Sequence, residues 1–476
     1  MNKPRRTKII ATLGPATDDP IILQKIIREG VDLVRLNFSH GKSEDHQRRV
    51  AMVRECAAAE GKEIGIIADL QGPKIRIACF EQGKIELKAG ATFILDAELA
   101  SEAGDEKTVG IDYKNLPQDV KINDFLLLDD GRLVLVVKQI VGAKIICQVE
   151  VGGELSNNKG INRLGGGLSV GALTDKDRTD LKTAVALDVD YVAISFPRNA
   201  QDMLEARKLL QQAGSTAGLI AKIERSEAIP IIDEIILASD AVMVARGDLG
   251  VEIGDAELPS VQKHIIQRAR TLDKTVITAT QMMESMIHNA IPTRAEVFDV
   301  ANAVIDGTDA VMLSGETATG DHPDKVVAAM ARICLGAEKQ MATQISRHRV
   351  ECTFQRPDEA VAMAAMYTAN HFNIKVIIAL TESGATPLWM SRIRSGIPIY
   401  ALTPNIATQR KMTLFRGVYP VHFATDQAIP AEINSLATTE LQQRGIVQSN
   451  DYVLITCGDL IATPGGTNTL KIVQIP

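Results

Sequence analysis

The chain has 476 residues, 45% of them hydrophobic and 23% charged, with a net charge of −7 at pH 7. That length accommodates two or three domains with sizeable cores. The negative balance argues against binding duplex nucleic acid or a membrane surface through the field of the whole molecule, and a single Trp leaves few rings for stacking single-stranded bases.

The six cysteines are scattered, with neither C-x-x-C nor zinc-ligand spacing, and read as thiols of a reducing compartment. The basic start of the chain lacks a signal-peptide core, and no apolar run reaches the roughly eighteen residues of a membrane span. A cytoplasmic protein is expected.

Eight apolar, β-branched runs recur at 8–13, 33–38, 64–70, 191–196, 219–224, 241–246, 275–280 and 310–315. Helical patterns stand between them at 20–29, 44–60, 176–187, 200–213 and 258–272, the second with Ser43 as a predicted N-cap. Alternating strands and helices predict βαβ units, and eight of them predict a closed (β/α)8 TIM barrel with its site at the strands' C-terminal ends. Residues 71–170 break the rhythm with short alternating runs at 84–87, 92–95, 125–128, 133–138 and 144–150, separated by glycine turns. They predict a small all-β domain inserted at the barrel's active face, either a lid over the site or a decorative insertion.

Beyond residue 338 the barrel pattern stops, and 347–357 reads as a connection. A helix at 357–372 and strands at 375–380, 399–403, 418–422, 452–456 and 470–475 predict an open-sheet α/β domain. The expected division is 1–70 with 171–345 for the barrel, 71–170 for the lid and 346–476 for the last domain. In that domain Thr381, Ser383, Gly384 and Thr386 form a hydroxyl- and glycine-rich turn, with Gly466 and Thr467 in a candidate facing loop. Such turns can bind a phosphate, and turn chemistry alone explains them equally well.

Lys222 lies inside an apolar run, where a buried ammonium needs a partner. An ion pair with Glu224, two residues on and on the same strand face, satisfies it without any function. Yet Glu224 and Asp248 both fall where strands end, beside Lys222 and Arg246, as a divalent cation bridged to a phosphate requires. The strand ends also offer Thr12, Arg35, Asn37, Ser39, His40, Asp69, Thr280, Gln281, Ser314 and Glu316. His40 reads as a nucleotide contact or a satisfied loop histidine, and Thr280 as a proton-transfer group or a helix cap. Phosphate-loop signatures are missing: in the nearest candidate, ending His40-Gly41-Lys42-Ser43, Leu36 stands where the leading glycine belongs.

At these residues the chain resembles the pyruvate kinase family. The motifs are Val34-Arg35-Leu36-Asn37-Phe38-Ser39-His40-Gly41, Lys222-Ile223-Glu224, Ala245-Arg246-Gly247-Asp248, Ala279-Thr280-Gln281-Met282, Pro292-Thr293-Arg294-Ala295-Glu296 and Met312-Leu313-Ser314-Gly315-Glu316-Thr317. They run in matching order over nearly the whole chain. The resemblance implies a catalytic (β/α)8 barrel, an inserted small β-barrel lid and an α/β regulatory domain. It implies transfer of the phosphoryl group of phosphoenolpyruvate to ADP, usually in a homotetramer. It also implies that Glu224 and Asp248 hold Mg²⁺ (Mn²⁺ is an alternative), while Lys222 and Arg35 face the phosphate. Backbone N–H groups around Ala245, Arg246 and Gly247, with the Thr280 hydroxyl, would receive the substrate carboxylate. Thr280 and Ser314 would protonate the enolate, and Asn37, His40, Arg76 and Lys176 would lie on the nucleotide side.

Two departures from the family pattern carry further expectations. Many members have an acid where Lys74 stands, and they need K⁺; the K⁺-independent branch carries this lysine. The Lys74 ammonium is expected in the monovalent-cation position beside Asn37, Ser39, Asp69 and Leu70, so that K⁺ is not required. Members activated by fructose 1,6-bisphosphate often have a cation after the effector-loop glycine, where this chain has Ala385. A monophosphate effector, a sugar monophosphate or AMP, is expected. The competing assignments are a Mg²⁺-dependent barrel lyase acting on an enolate and a non-catalytic phosphometabolite sensor.

Overall fold

The computed structural model describes residues 4–344, 348–424, 432–458 and 465–476. Eight parallel strands, Lys8–Thr12, Leu33–Asn37, Gly65–Asp69, Tyr191–Ile194, Gly218–Ile223, Ala241–Ala245, Thr275–Ala279 and Ala310–Leu313, close in chain order, with Lys8 of the first in register with Ala310 of the eighth. Because side chains alternate along a strand, one set faces the helices and the other fills the barrel. Ile10, Leu33, Ile67, Ala193, Ile220 and Met312 belong to the interior apolar cluster. Two residues further along each strand stand Thr12, Arg35, Asp69, Ser195, Lys222 and Ser314. The barrel interior is thus oily below and polar at its C-terminal mouth. Leu414, from the last domain, joins the same apolar cluster.

The predicted helices form within a residue or two of their expected bounds, for example Pro20–Glu29, Asp175–Ala186 and Leu258–Thr271. Ser43 is not the cap expected of it. It begins the helix Ser43–Ala59, and the Asp45 carboxylate accepts the Lys42 N–H at 3.0 Å from inside the first turn. A carboxylate there also suits the positive end of the helix dipole.

The inserted strands do not close into a barrel. They form an open six-stranded sheet and a separate two-stranded ribbon, Lys84–Leu87 with Gly153–Ser156, around a shared apolar core. The long pair Leu133–Val141 and Lys144–Val151 shifts register twice, and such bulges bend a sheet. Its return to the barrel runs through Gly165, Gly166 and Gly167, all at positive φ. A Cβ on Gly166 would lie 2.5 Å from both Glu227 Oε2 and Ser226 Oγ.

The last domain is a five-stranded sheet ordered Val418–His422, Ile399–Thr403, Ile374–Leu380, Tyr452–Cys457, Thr469–Gln474, its final strand antiparallel. Part of the expected connection, and residues 463 and 464 of the facing loop, lie outside the described residues. Among the described residues no helix is long and apolar enough to cross a membrane.

Candidate active site

A cleft of about 650 Å³ opens between the barrel mouth and the inserted sheet, lined by Lys74 and Asp130 on one side and by Gly247, Asp248, Thr280 and Ser314 on the other. At the mouth, the Lys222 ammonium donates to Ser195 Oγ at 2.7 Å and pairs with Asp69 at 3.2 Å and Glu224 at 3.0 Å. Burial works against its charge, but the two carboxylates outweigh burial and hold Lys222 above the usual lysine range. Arg35 Nε binds Asp69 at 2.6 Å and its Nη1 reaches Thr12 Oγ1 at 3.2 Å. Against the cost of burial, Lys222 and Arg35 together hold the Asp69 carboxyl below its ordinary range.

Glu224 is only 2% exposed and accepts the Phe196 N–H at 2.9 Å. Burial and crowding by Asp248 and Asp69 push its carboxyl up, in spite of Lys222. Asp248 binds the Lys74 ammonium at 3.0 Å, and Lys74 also faces Asp130 at 3.8 Å. Lys74 makes no hydrogen bond or ion pair with Asn37, Ser39, Asp69 or Leu70, contrary to expectation. Asp248 and Asp130 attract it more strongly, since Asp69 is already taken by Arg35 and Lys222. The donor set fits a hard divalent cation. Glu224 and Asp248 are oxygen donors whose crowding such a cation relieves. Among the described residues no group of three or more His, Cys, Asp or Glu is placed to hold a metal ion, so a cation on Glu224 and Asp248 would take its remaining ligands from substrate and water.

Arg246 does not add its charge to this field. Its guanidinium turns away, donating to the Thr280 carbonyl at 2.7 Å and pairing with Asp299 at 2.8 Å. What it contributes is backbone: the helix Arg246–Ile253 starts directly after Ala245, so its first N–H groups face the mouth. The Gly247 N–H donates to Thr280 Oγ1 at 2.9 Å. Thr280 and Gln281 both adopt positive φ, so Thr280 is no helix cap; its hydroxyl turns back to Gly247 and to its neighbour's carbonyl. Ser314 Oγ is buried without a partner among the described residues, while its N–H donates to Glu316 at 2.6 Å.

On the far side, the Lys176 ammonium donates to the Phe38 carbonyl at 2.8 Å, bringing it to the 37–40 loop. Asn37 Oδ1 accepts the Ser39 N–H in that loop at 3.1 Å, and His40 is exposed beside it. Arg76 lies apart in the inserted sheet, its guanidinium on the Asn158 carbonyl at 2.8 Å. The two candidate effector loops do meet: Thr386 and Thr467 share a hydroxyl hydrogen bond of 2.7 Å. The Thr381 hydroxyl accepts the Gly384 N–H at 3.0 Å, Ser383 is exposed, and Gly466 is half-buried.

Ser195 and the Phe196 N–H escaped the sequence reading. Ser195 Oγ takes the Lys222 proton donor and itself donates to the Leu70 carbonyl at 2.7 Å, fixing where the ammonium stands. Phe196 has φ of +55°, which aims its N–H at Glu224. The available signal was positional, because the fourth strand was the one whose end had contributed no candidate.

Residues 4–327 match the family model of the pyruvate kinase barrel domain, and 359–473 that of the pyruvate kinase alpha/beta domain. The chain is 55% identical over 477 residues to pyruvate kinase II of Salmonella typhimurium, covering 99% of both chains. It is 54% identical over 474 residues to a pyruvate kinase of Haemophilus influenzae, again covering 99% of each. Against a pyruvate kinase of Buchnera aphidicola the identity is 53%, over all of this chain and 99% of the other. With both domains matched and each relative covered end to end, the chain belongs to the pyruvate kinase family and is a phosphotransferase.

Proposed function

We propose that the chain transfers the phosphoryl group of phosphoenolpyruvate to ADP, giving pyruvate and ATP as the last step of glycolysis in the cytoplasm. The carrying observation is Lys222, a buried ammonium kept charged and held by Ser195, Asp69 and Glu224 at the barrel mouth. From there it stabilises charge on the phosphoryl group in flight, with Arg35 on the same phosphate. The N–H groups of Ala245, Arg246 and Gly247, with the Thr280 hydroxyl, receive the substrate carboxylate. Thr280 and Ser314 deliver the proton to the enolate carbon, and the unpartnered Ser314 hydroxyl suits that task. Asn37, His40, Arg76 and Lys176 hold the nucleotide. Glu224 and Asp248 would hold Mg²⁺ or Mn²⁺, which when bound neutralises charge between the substrate's carboxylate and phosphate.

Activity does not require K⁺. Lys222, Arg35 and Lys74 already face Asp69, Glu224 and Asp248, three fixed cations for three carboxylates. The catalytic unit is residues 1–70 with 171–345, the lid 71–170 and the regulatory unit 346–476. Thr381, Ser383, Gly384, Thr386, Gly466 and Thr467 take a monophosphate effector, and the enzyme assembles as a homotetramer. Pyruvate formation from phosphoenolpyruvate and ADP, assayed with Mg²⁺ in K⁺-free Tris and again with KCl, is expected to be strong in both. Turnover only with KCl removes the role given to Lys74, and none in either removes the reaction. Glucose 6-phosphate or AMP should shift the phosphoenolpyruvate saturation curve more than fructose 1,6-bisphosphate does, and stronger activation by the bisphosphate refutes the effector assignment.

A further inference from the structure

A second charged cluster lies at the opposite end of the barrel, where it meets the last domain. Arg6, Arg270, Arg392, Arg394 and Arg416 converge there with Asp309 around a small cavity of about 20 Å³. Asp309 is consumed by Arg392, which donates to it with both terminal nitrogens. Glu338, the other carboxylate, accepts the Arg6 and Thr7 N–H groups and the Thr7 hydroxyl. Arg6 pairs with Glu338 at 3.6 Å and Arg392 with Asp309, so Arg270, Arg394 and Arg416 have no ion pair of their own among the described residues.

Backbone carbonyls relieve part of the imbalance. Arg394 donates to Ile305 and Asp306, and Arg416 to Val304 and Thr308, around the end of the helix Arg294–Asp306. The relief is incomplete. Arg416 is 9% exposed, and its Nη2 is buried with no hydrogen-bond partner among the described residues. Nε of Arg394 is in the same state. Arg270 and Arg394 crowd one spot: a Cβ on Gly307 would lie 2.9 Å from Arg270 Nη1 and 3.1 Å from Arg394 Nη2. Burial and mutual repulsion weaken the hold of Arg270 on its proton, down to about 9. A guanidinium stays charged at neutral pH, so the cost of burying it persists.

We infer that this cavity is an anion site for a single halide-sized ion, chloride in the cell, held by the Arg416 Nη2 donor among the arginines that join the barrel to the last domain. About 20 Å³ is the space open to the centre of a water-sized sphere, which suits one small ion. A water would satisfy the donor but leave the excess charge in place.

Bromide, which scatters anomalously and substitutes for chloride, tests the assignment on the full-length wild type. Crystals soaked in NaBr should show an anomalous peak in contact with Arg416 Nη2. In solution, replacing gluconate by chloride at constant ionic strength should raise Tm by several degrees, as a ligand of the folded state does, and Arg416→Gln should abolish that rise. Peaks elsewhere but none in the cavity would mean water fills it, and the inference falls. Tetrahedral density there in the presence of bromide overturns the halide assignment. A bromide peak with equal Tm in chloride and gluconate marks an adventitious ion only, and also overturns it.

Discussion

At the barrel mouth Lys222, Arg35 and Lys74 face Asp69, Glu224 and Asp248, while at its base five arginines face Asp309 and Glu338. The contacts of the mouth cluster are chiefly between side chains, so each can be traded for a ligand without disturbing the backbone. Those at the base go largely to carbonyls of Val304, Ile305, Asp306, Thr308 and Ser395, which fix two domains against each other. The same ingredients thus serve chemistry at one end and attachment at the other. The partner type, more than the number of charges, separates the two uses, in keeping with the division of labour between the faces of such barrels.

The comparison breaks most visibly at Lys222. Lys222→Met should lower kcat by about 10³-fold or more, measured as pyruvate formation at saturating substrates, with a smaller change in KM. A raised KM at unchanged kcat would make it a ground-state contact. At the base, Arg392→Met should spare the chemistry and cost stability. It leaves Asp309, 1% exposed, without its charge partner, at about 3–5 kcal/mol in urea unfolding.

Glu252, at the root of the inserted sheet, sharpens the contrast through pH. Burial, aided by Glu227 and Asp248 and opposed by the Ser226 N–H and Arg225, lifts its carboxyl to about 7. The folded protein then holds this proton more tightly than the unfolded chain. Its contribution favours folding at low pH and is lost as pH rises from the ordinary carboxyl range to about 7. Glu252→Gln should remove that falling component, at most about 3 kcal/mol in unfolding free energy compared at pH 5 and pH 8. The smallest effect is expected at Ser195, which positions Lys222 without touching substrate. Ser195→Ala should reduce kcat about tenfold, some 1.4 kcal/mol, with Ser195→Thr closer to wild type.

The eight barrel strands were legible because buried parallel strands are apolar and β-branched, and Lys222 stood out as a charge inside such a run. Glu224 and Asp248 followed from their places just past strand ends. Orientation was not legible. Arg246 and Lys74 sit at the expected positions yet point to Asp299 and Asp248, choices made by residues distant in sequence. Ser195 looked ordinary because a serine ending a strand carries no local signal; its value comes from the ammonium of the neighbouring strand. The short strands Thr108–Gly110 and Ile161–Arg163 of the inserted sheet hold too few residues to show a period of two.

The glycines at 165–167 bear on how such enzymes can be recombined. Their amides and chain path fit against Glu227, Ser226 and Glu252 of the barrel, with the Gly167 N–H on Glu227 at 2.5 Å and the Gly165 N–H on the Glu252 carbonyl at 2.9 Å. In sequence the inserted sheet is a removable segment; in structure its return path is half of a joint whose other half is encoded some sixty residues later. A chimera that swaps residues 71–170 alone would separate the two halves, so the transplantable unit is the inserted sheet together with the barrel segment from Arg225 to Glu252.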